Sequence, residues 1–299
     1  MKIKTVARPD IPDMHMPTAE SVADSRESLN QLMEKLYTAE KPLSMHRREQ
    51  IARLHGQSVY LMGDPEGARK YLAMSVDLRL GYIRQCTAET EKLRVLIGGK
   101  EREVYSLNEH AYAGPYYWAS AFNIALATGD RGLVERVLAT DIDRWRGVIG
   151  IPYWWAAYDY YRALLAGDEA GRRKYLDDAA AHAGSGSTIF IGLKGTKPIR
   201  SGKIAIDLCT NELPVLVLLE HAASGRIDEF NALLLDRLRK KRAKMIHKNY
   251  YPSRDDYFDW PALGAVVVAR HLGVPIAVSS DYIPEDLQGG VFGLFGVER

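Results

Sequence analysis

Apolar residues recur every three or four positions along most of this 299-residue chain, the spacing of amphipathic helices. The first such segment follows Pro17, and Thr18 is placed to cap a helix there. Glycine, often followed by proline, interrupts the pattern where helices are expected to end. We predict helices over residues 18–36, 44–61, 65–83, 115–126, 133–138, 153–165, 169–183, 204–224, 227–247 and 260–272.

A short turn of glycine and aspartate separates several of these predicted helices. Glycine adopts the left-handed conformation that ends a helix, and the aspartate can cap the helix that follows. Such turns join antiparallel helix pairs, as in tetratricopeptide repeats, but their spacing here is too uneven for a regular array. We therefore predict an all-α protein whose antiparallel helix pairs form a degenerate tetratricopeptide-like array. The turns are Gly63-Asp64, Gly129-Asp130, Gly167-Asp168 and the weaker Gly225-Arg226.

Two segments depart from the helical pattern and predict one or two short β-hairpins in loops. Residues 93–97 and 103–106 favour strands and flank Gly98-Gly99, which is typical of a tight hairpin turn. Residues 184–203 are glycine-rich and predict a surface loop or a small hairpin. The prolines within residues 1–17 predict an extended arm. Residues 18–290 are then one helical domain, and residues 291–299 form a C-terminal tail.

Composition narrows the class of protein. Forty basic residues against 38 acidic ones give a net charge of only +2, which argues against a nucleic-acid partner. The two cysteines form no CxxC pair, which favours a reducing compartment. The longest apolar run, residues 214–219, is far shorter than the roughly 20 residues that a membrane span needs. We expect a cytoplasmic protein with no membrane partner.

Motifs for catalysis, cofactors and metals do not match this sequence. Gly195 and Gly202 are too far apart for a phosphate loop, and Ile204 stands where that motif needs serine or threonine. The eight histidines show no metal-ligand spacing. Cys209 is interpreted as a buried helical cysteine, which would be inert. We therefore predict no catalytic, cofactor-binding or metal-binding residues and a protein that is not an enzyme.

Three segments carry the residue types that are enriched at protein interfaces, where tyrosine, tryptophan and arginine are common. They are residues 249–260, the basic run 237–244, and residues 141–146. Alternatively, the basic run is a solvated helix end, and Tyr257, Phe258 and Trp260 pack beneath their own loop. The candidate partner-binding residues are Trp145, Arg146, Arg239, Lys240, Tyr250, Tyr251, Arg254, Asp255, Asp256 and Tyr257.

Four motifs in the C-terminal half occur in a characteristic order. They are Tyr-Tyr-Pro-Ser-Arg-Asp-Asp at residues 250–256, Trp-Pro-Ala-Leu at 260–263, Ala-Arg-His-Leu-Gly at 269–273 and Tyr-Ile-Pro at 282–284. On these motifs, residues 116–284 resemble the immunity protein 49 family of bacterial polymorphic-toxin systems. The resemblance implies a protein that binds a cognate toxin in the cytoplasm of the producing cell and blocks it, without catalytic residues.

Two other functions stay open at the level of sequence. A tetratricopeptide-like scaffold that binds a peptide or protein would have a continuous concave groove. An enzyme with a helical fold would have a deep pocket of convergent titratable groups with perturbed pKa values. The sequence leaves the toxin's identity and the oligomeric state undetermined.

Overall fold

The structure is a computed structural model of the chain. It describes residues 3–9, 16–107, 114–146, 151–184, 188–189, 199–200, 207–247 and 254–289.

Ten α-helices and three small strand pairs make up the regular structure of the described residues, and this confirms the predicted all-α class. Most helix ends lie within a few residues of the predicted ones, because capping residues, prolines and glycines mark them in the sequence. The helices are α1 Ala19–Tyr37, α2 His46–Leu61, α3 Pro65–Thr87, α4 Pro115–Thr128, α5 Arg131–Leu138, α6 Pro152–Leu165, α7 Glu169–Gly184, α8 Leu213–Ala223, α9 Ile227–Met245 and α10 Trp260–His271.

The glycine turns adopt the predicted geometry. All four turn glycines have φ between +67° and +88°, a region that is costly for residues with a Cβ. The Asp64 carboxylate accepts the Gly67 N–H at 2.8 Å, and the Asp130 carboxylate accepts the Leu133 N–H at 3.0 Å. Each aspartate therefore caps the helix that follows the turn.

Both predicted hairpins are present. Strand β2 (Lys92–Ile97) pairs with β3 (Lys100–Tyr105) in antiparallel register around the two-glycine turn. The Asp77 carboxylate on α3 accepts the Gly98 N–H at 2.9 Å and so fixes the tip of this hairpin to the helices. In the glycine-rich stretch, β4 (Thr188–Ile189) pairs with β5 (Ile199–Arg200).

A third strand pair was not predicted. Strand β1 (Lys4–Val6) runs parallel to β6 (Val278–Ser280), and the Ser280 hydroxyl donates to the Val6 carbonyl at 2.6 Å. The partner strand lies at the other end of the chain, so no local pattern could indicate the pairing. The division into an arm at residues 1–17, a domain at 18–290 and a tail at 291–299 remains a prediction.

The helix predicted over residues 204–224 is interrupted by a π-helical turn over Leu208–Glu212 that leads directly into α8. Single π-turns inside helices are frequent at functional sites. Within this turn Leu208 is buried and Cys209 is exposed, so the expectation that Cys209 is buried is wrong. Neighbouring residues on a helix point about 100° apart, and because Leu208 faces the core, Cys209 faces away from it.

The centre of the molecule is filled by the close crossing of α4 and α10. A Cβ at Gly264 would lie 2.4 Å from the side-chain oxygen of Asn123, so only glycine permits this distance. Trp118 and Phe122 on α4 stack at 5.4 Å, and Tyr161 on α6 packs edge-on against Phe122. The crossing places the N-terminal ends of α4, α6 and α10 around a common recess.

Candidate partner-binding face

Two adjoining recesses open around the start of α10. We call the first the aromatic recess; it has a volume of about 250 Å³ and is lined by Arg53, Arg79, Tyr116, Tyr153, Trp154 and Tyr161, among others. The second, the basic recess, has a volume of about 430 Å³ and includes Arg237, Lys240, Lys241 and Lys244. Both include Glu212, Asp255, Trp260 and Pro261, which we call the shared wall.

The aromatic recess is built by two helices that begin in the same way. Helix α4 starts Pro-Tyr-Tyr-Trp and α6 starts Pro-Tyr-Trp-Trp, with each proline in the first turn, where it has no hydrogen bond to lose. The ring centroids of Tyr116 and Trp154 lie 4.9 Å apart in an edge-to-face pair. Tyr116 is 47% exposed, whereas Tyr153 is buried behind it. The recess therefore has the exposed ring of Tyr116 and the half-buried ring of Trp154 at its mouth.

A chain of charged groups forms the opposite side of the aromatic recess. The Glu49 carboxylate lies 2.7 Å from Nη2 of Arg79 and 3.4 Å from Nε of Arg53. Arg53 also pairs with Asp255 of the shared wall. Burial lowers the pKa of Arg53. A buried guanidinium group, that of Arg79, and a partly buried one, that of Arg53, thus share one buried carboxylate, and the second carboxylate lies at the surface.

Glu212 contributes the carboxyl group of the shared wall. Burial raises its pKa from the ordinary value of 4.5 to about 7, and Arg237 offsets only part of that effect. Burial, together with the charge of Glu212, also raises the pKa of Tyr153 well above its ordinary value. Glu212 is therefore a group that titrates near neutral pH, positioned by a π-turn between two recesses.

Below the shared wall, Arg237 and Asp259 form a buried bidentate ion pair. Nε and Nη2 of Arg237 lie 2.8 Å from the two carboxylate oxygens of Asp259. Asp259 also caps α10 by accepting the Ala262 N–H. The pKa of Asp259 lies below its ordinary value. Burial alone would raise this pKa, but the positive charges of Arg237 and Lys241 lower it by more. This pair fixes the start of α10 against α9.

The lysines of α9 line the basic recess. Lys240 pairs with Asp236 one turn away at 2.7 Å, and both side chains are largely exposed. Lys244 lies 4.0 Å from the Asp256 carboxylate. Burial lowers the pKa of Lys241. Exposed ion pairs of this kind contribute little to stability. These lysines can therefore exchange their internal partners for acidic groups of a bound protein at a small cost in free energy.

The structure brings some of the predicted partner-binding residues together. Lys240 and Asp255 line the basic recess. Asp256 does not line it, but its carboxylate lies 4.0 Å from the ammonium group of Lys244, which does. Arg239 is exposed on α9 but lines neither recess. Tyr250, Tyr251 and the side chain of Arg254 lie outside the described residues.

Tyr257 does not lie on the surface. Its side chain is 2% exposed, and Phe258 and Trp260 beside it are also buried. Phe258 stacks on Trp260 with ring centroids 4.9 Å apart. The alternative that these rings pack beneath their own loop is confirmed, because the turn Arg254–Tyr257 directs them into the core.

Trp145 and Arg146 form a separate patch that lines neither recess. Two nitrogens of Arg146 lie 2.8 and 2.7 Å from the carboxylate of Asp159, and Arg146 also pairs with Asp143. Its guanidinium lies 4.7 Å from the ring centroid of Trp155. These contacts raise the pKa of Arg146 and occupy its donors, and Trp145 is partly buried against the core.

The most informative residues of the face were not among those predicted from the sequence. Arg53, Arg79, Tyr116, Trp154 and Glu212 come from five separate elements, and only the fold brings them together. One signal was present: the duplicated Pro-aromatic start of α4 and α6. Two such starts predict exposed aromatic rings at neighbouring helix ends whenever the two helices pack side by side.

Two classes of feature are not found in the described part of the chain. There, no three or more histidine, cysteine, aspartate or glutamate side chains are grouped so that they could hold a metal ion. Over the same residues, every helix is too short or too polar to cross a membrane.

Comparison with known proteins gives one match. Neither the curated proteins nor the solved structures contain a significant match to this chain. The family model described as Immunity protein 49 matches residues 72–287, which is more than half of the chain and includes α4 to α10 and the shared wall. The chain therefore belongs to the immunity protein 49 family.

Proposed function

We propose that this protein protects the cell that produces it by binding a cognate toxin in the cytoplasm and occluding it. Family membership supports a role in toxin immunity. The observation that supports direct occlusion without catalysis is the composition of the face around the start of α10. That face combines an exposed and a half-buried aromatic ring, paired arginines and weakly paired lysines in one place.

The aromatic recess supplies the features that dominate binding energy at protein interfaces. Hot spots are enriched in tyrosine, tryptophan and arginine, and they lie in pockets from which neighbouring contacts exclude water. Tyr116 and Trp154 stand at the mouth of such a pocket, with Arg53 deeper inside. The adjoining lysines of the basic recess supply a charged rim, which speeds association with an acidic partner.

The tetratricopeptide-like scaffold is less well supported than the immunity role. It requires a continuous concave groove, whereas the crossing of α4 and α10 fills the centre of the described structure. A partner is therefore expected to dock on the outer face and not to lie along an inner groove.

One observation favours an enzyme as the second candidate. Glu212 lies in a recess and titrates near neutral pH, a property of many catalytic acids and bases. Arg237 and the buried surroundings account for Glu212 without a substrate, and the described lining of the two recesses includes no histidine. Glu212→Gln, supplied in excess over the toxin, separates the candidates: an occluding protein still protects once the toxin is saturated, even if it binds less tightly, whereas an enzyme that uses this carboxyl loses its protective effect.

Co-expression with the toxin encoded beside this chain's gene tests the proposal. We expect the wild-type protein to restore growth, and Tyr116→Ala to weaken toxin binding by roughly 30-fold, the effect of a hot spot worth about 2 kcal/mol. Met62→Ala is the matched control, because Met62 is 48% exposed but lies in the turn between α2 and α3. Met62→Ala should bind as the wild type does. Failure of the wild-type protein to protect the cells would overturn the proposed function.

A further inference from the structure

Two residues that line the aromatic recess have buried hydrogen-bond donors without an acceptor among the described residues. Arg79 is 6% exposed, and only its Nη2 is paired, with Glu49; its Nε and Nη1 have no hydrogen-bond acceptor among the described residues. Trp260, on the shared wall, is 8% exposed, and its indole Nε1 likewise has no acceptor there. Leaving a buried donor unpaired costs about 1–3 kcal/mol, and more for a charged group. These donors therefore favour a ligand that brings acceptor atoms.

Among the described side chains that line this recess, the buried polar atoms without a partner are donors of Arg79 and Trp260. One unpartnered acceptor adjoins them, Oε2 of Glu49, whose other carboxylate oxygen pairs with Arg79 and Arg53. A neutral or cationic ligand that brings further donors would leave Arg79 and Trp260 as they are. A group that brings acceptor oxygens would supply what these donors lack.

The charges of the recess favour an anionic acceptor. Arg79 and Arg53 share the carboxylate of Glu49, and the Glu212 carboxyl on the shared wall, with a pKa raised to about 7, carries only part of a negative charge at neutral pH. The positive charge inside the recess is therefore incompletely compensated. The second carboxylate, Asp255, pairs with Arg53 from the mouth, where its side chain is 45% exposed. A carboxylate that enters the recess competes with Asp255 for Arg53. The planar fork of a guanidinium matches the two oxygens of a carboxylate.

The size and walls of the recess fit a side chain. A volume of about 250 Å³ exceeds that of one carboxylate and leaves room for the methylene groups that carry it. Tyr116, Tyr153 and Trp154 provide apolar surface for those methylene groups. Free inorganic anions would leave this surface uncovered.

We propose that the aromatic recess is a carboxylate pocket and that an aspartate or glutamate side chain of the bound toxin occupies it. The choice of the toxin as the source rests on the proposed function. The pocket itself rests only on Arg79, Arg53 and Trp260. The incoming carboxylate pairs with the free donors of Arg79, accepts the indole N–H of Trp260 and displaces Asp255 from Arg53.

The indole N–H of Trp260 provides a direct probe. The chain has five tryptophans, so few indole signals occur in a ¹H–¹⁵N spectrum, and Trp260→Phe assigns the one that is lost. Sodium acetate is the ligand, acetamide is the uncharged control of the same shape, and sodium chloride controls for ionic strength. We expect acetate to shift the Trp260 signal saturably, and neither control to do so.

Two variants sharpen this test. Arg79→Gln removes the charged donor and should abolish the acetate response. Because a buried substitution can prevent folding, Asp255→Asn provides an independent variant at the exposed mouth. It removes the surface carboxylate that competes for Arg53 and leaves the Glu49 pair in place, so acetate should bind more tightly, by about 10-fold if one charged hydrogen bond of about 1.4 kcal/mol is gained. Unchanged acetate affinity in Asp255→Asn, or no acetate shift in the wild type, would overturn the pocket.

The source of the carboxylate is tested separately with the toxin encoded beside this chain's gene. Binding of the toxin should shift the Trp260 signal, and changing the toxin's interfacial acidic residues to amides should abolish that shift. If the toxin binds and the Trp260 signal stays unchanged, the toxin is not the source. If the toxin does not bind at all, the proposed function fails, whereas the acetate response still reports on the pocket.

Discussion

At the residue scale, the interior holds several charged side chains whose partners come from distant parts of the chain. Glu220 on α8 accepts hydrogen bonds from Tyr160 at 3.1 Å, from Arg172 at 3.0 Å and from Ser224 at 2.7 Å. Its carboxylate is therefore satisfied although it is buried. The sequence could not predict this cluster, because Tyr160 and Arg172 lie on α6 and α7, which meet α8 only in the folded protein.

Removing the Glu220 carboxylate should be strongly destabilising. Glu220→Ala leaves the Arg172 guanidinium buried without its ion-pair partner, and breaking such a pair costs roughly 3–5 kcal/mol. The matched control is Asp178→Ala, which breaks the exposed pair with Lys174 and should change stability by less than about 1 kcal/mol. Urea unfolding of the two variants measures both values. Equal losses would contradict the assignment of Glu220 to the core.

Glu212 should make stability depend on pH. Its pKa of about 7 in the folded protein exceeds the ordinary value of 4.5, so between these values the folded state holds a proton that the unfolded state releases. Stability must then fall as pH rises through this interval, by up to about 3 kcal/mol. Glu212→Gln cannot titrate and should lack this part of the fall. Parallel curves of unfolding free energy against pH for the two proteins would contradict the raised pKa.

At the scale of elements, local chemistry explains what the sequence could predict. Helix ends are set by residues next to them, so Thr18, the prolines of the first turns and the turn glycines indicated most boundaries. The Gly98-Gly99 turn predicted its hairpin for the same reason. The pairing of β1 with β6 was missed because it joins the two ends of the described chain.

The candidate site was predicted only in part, and the reason is again distance along the chain. Lys240 and Asp255 lie in segments whose composition is typical of interfaces. The same composition suggested an exposed Tyr257, but exposure depends on the direction of the turn, which composition does not encode. The residues that line the aromatic recess come from several elements between α2 and α10. No single segment of the sequence contains enough of these residues to indicate the recess.

A glycine turn tests the element scale directly. Gly167 has φ of +69°, and a Cβ added there would meet no neighbouring atom within 4 Å, so Gly167→Ala introduces backbone strain without a clash. We expect a loss of about 1–2 kcal/mol, measured by chemical denaturation. Gly184→Ala is the control, because that glycine is helical and its Cβ would also meet open space. A loss in Gly184→Ala as large as in Gly167→Ala would contradict the explanation by backbone conformation.

At the scale of the whole molecule, a filled helical core supports one face that is rich in interaction groups. The crossing of α4 and α10 brings the aromatic recess and the basic recess to adjoining positions. Opposite charges alternate across this face, consistent with the net charge of only +2. Such a surface selects a partner by shape and by the arrangement of charges, and a protein that blocks one cognate toxin needs that kind of selectivity.

The central claim is that the protein neutralises its toxin by occupying it and not by acting on it as an enzyme. Titration of a fixed amount of toxin with increasing amounts of this protein, followed by residual toxin activity, tests that claim most directly. Occlusion predicts that activity falls in proportion to the protein added, reaches its minimum only when all the toxin is bound, and recovers when the complex dissociates. Complete and lasting inactivation by an amount of protein far below that of the toxin would contradict the claim.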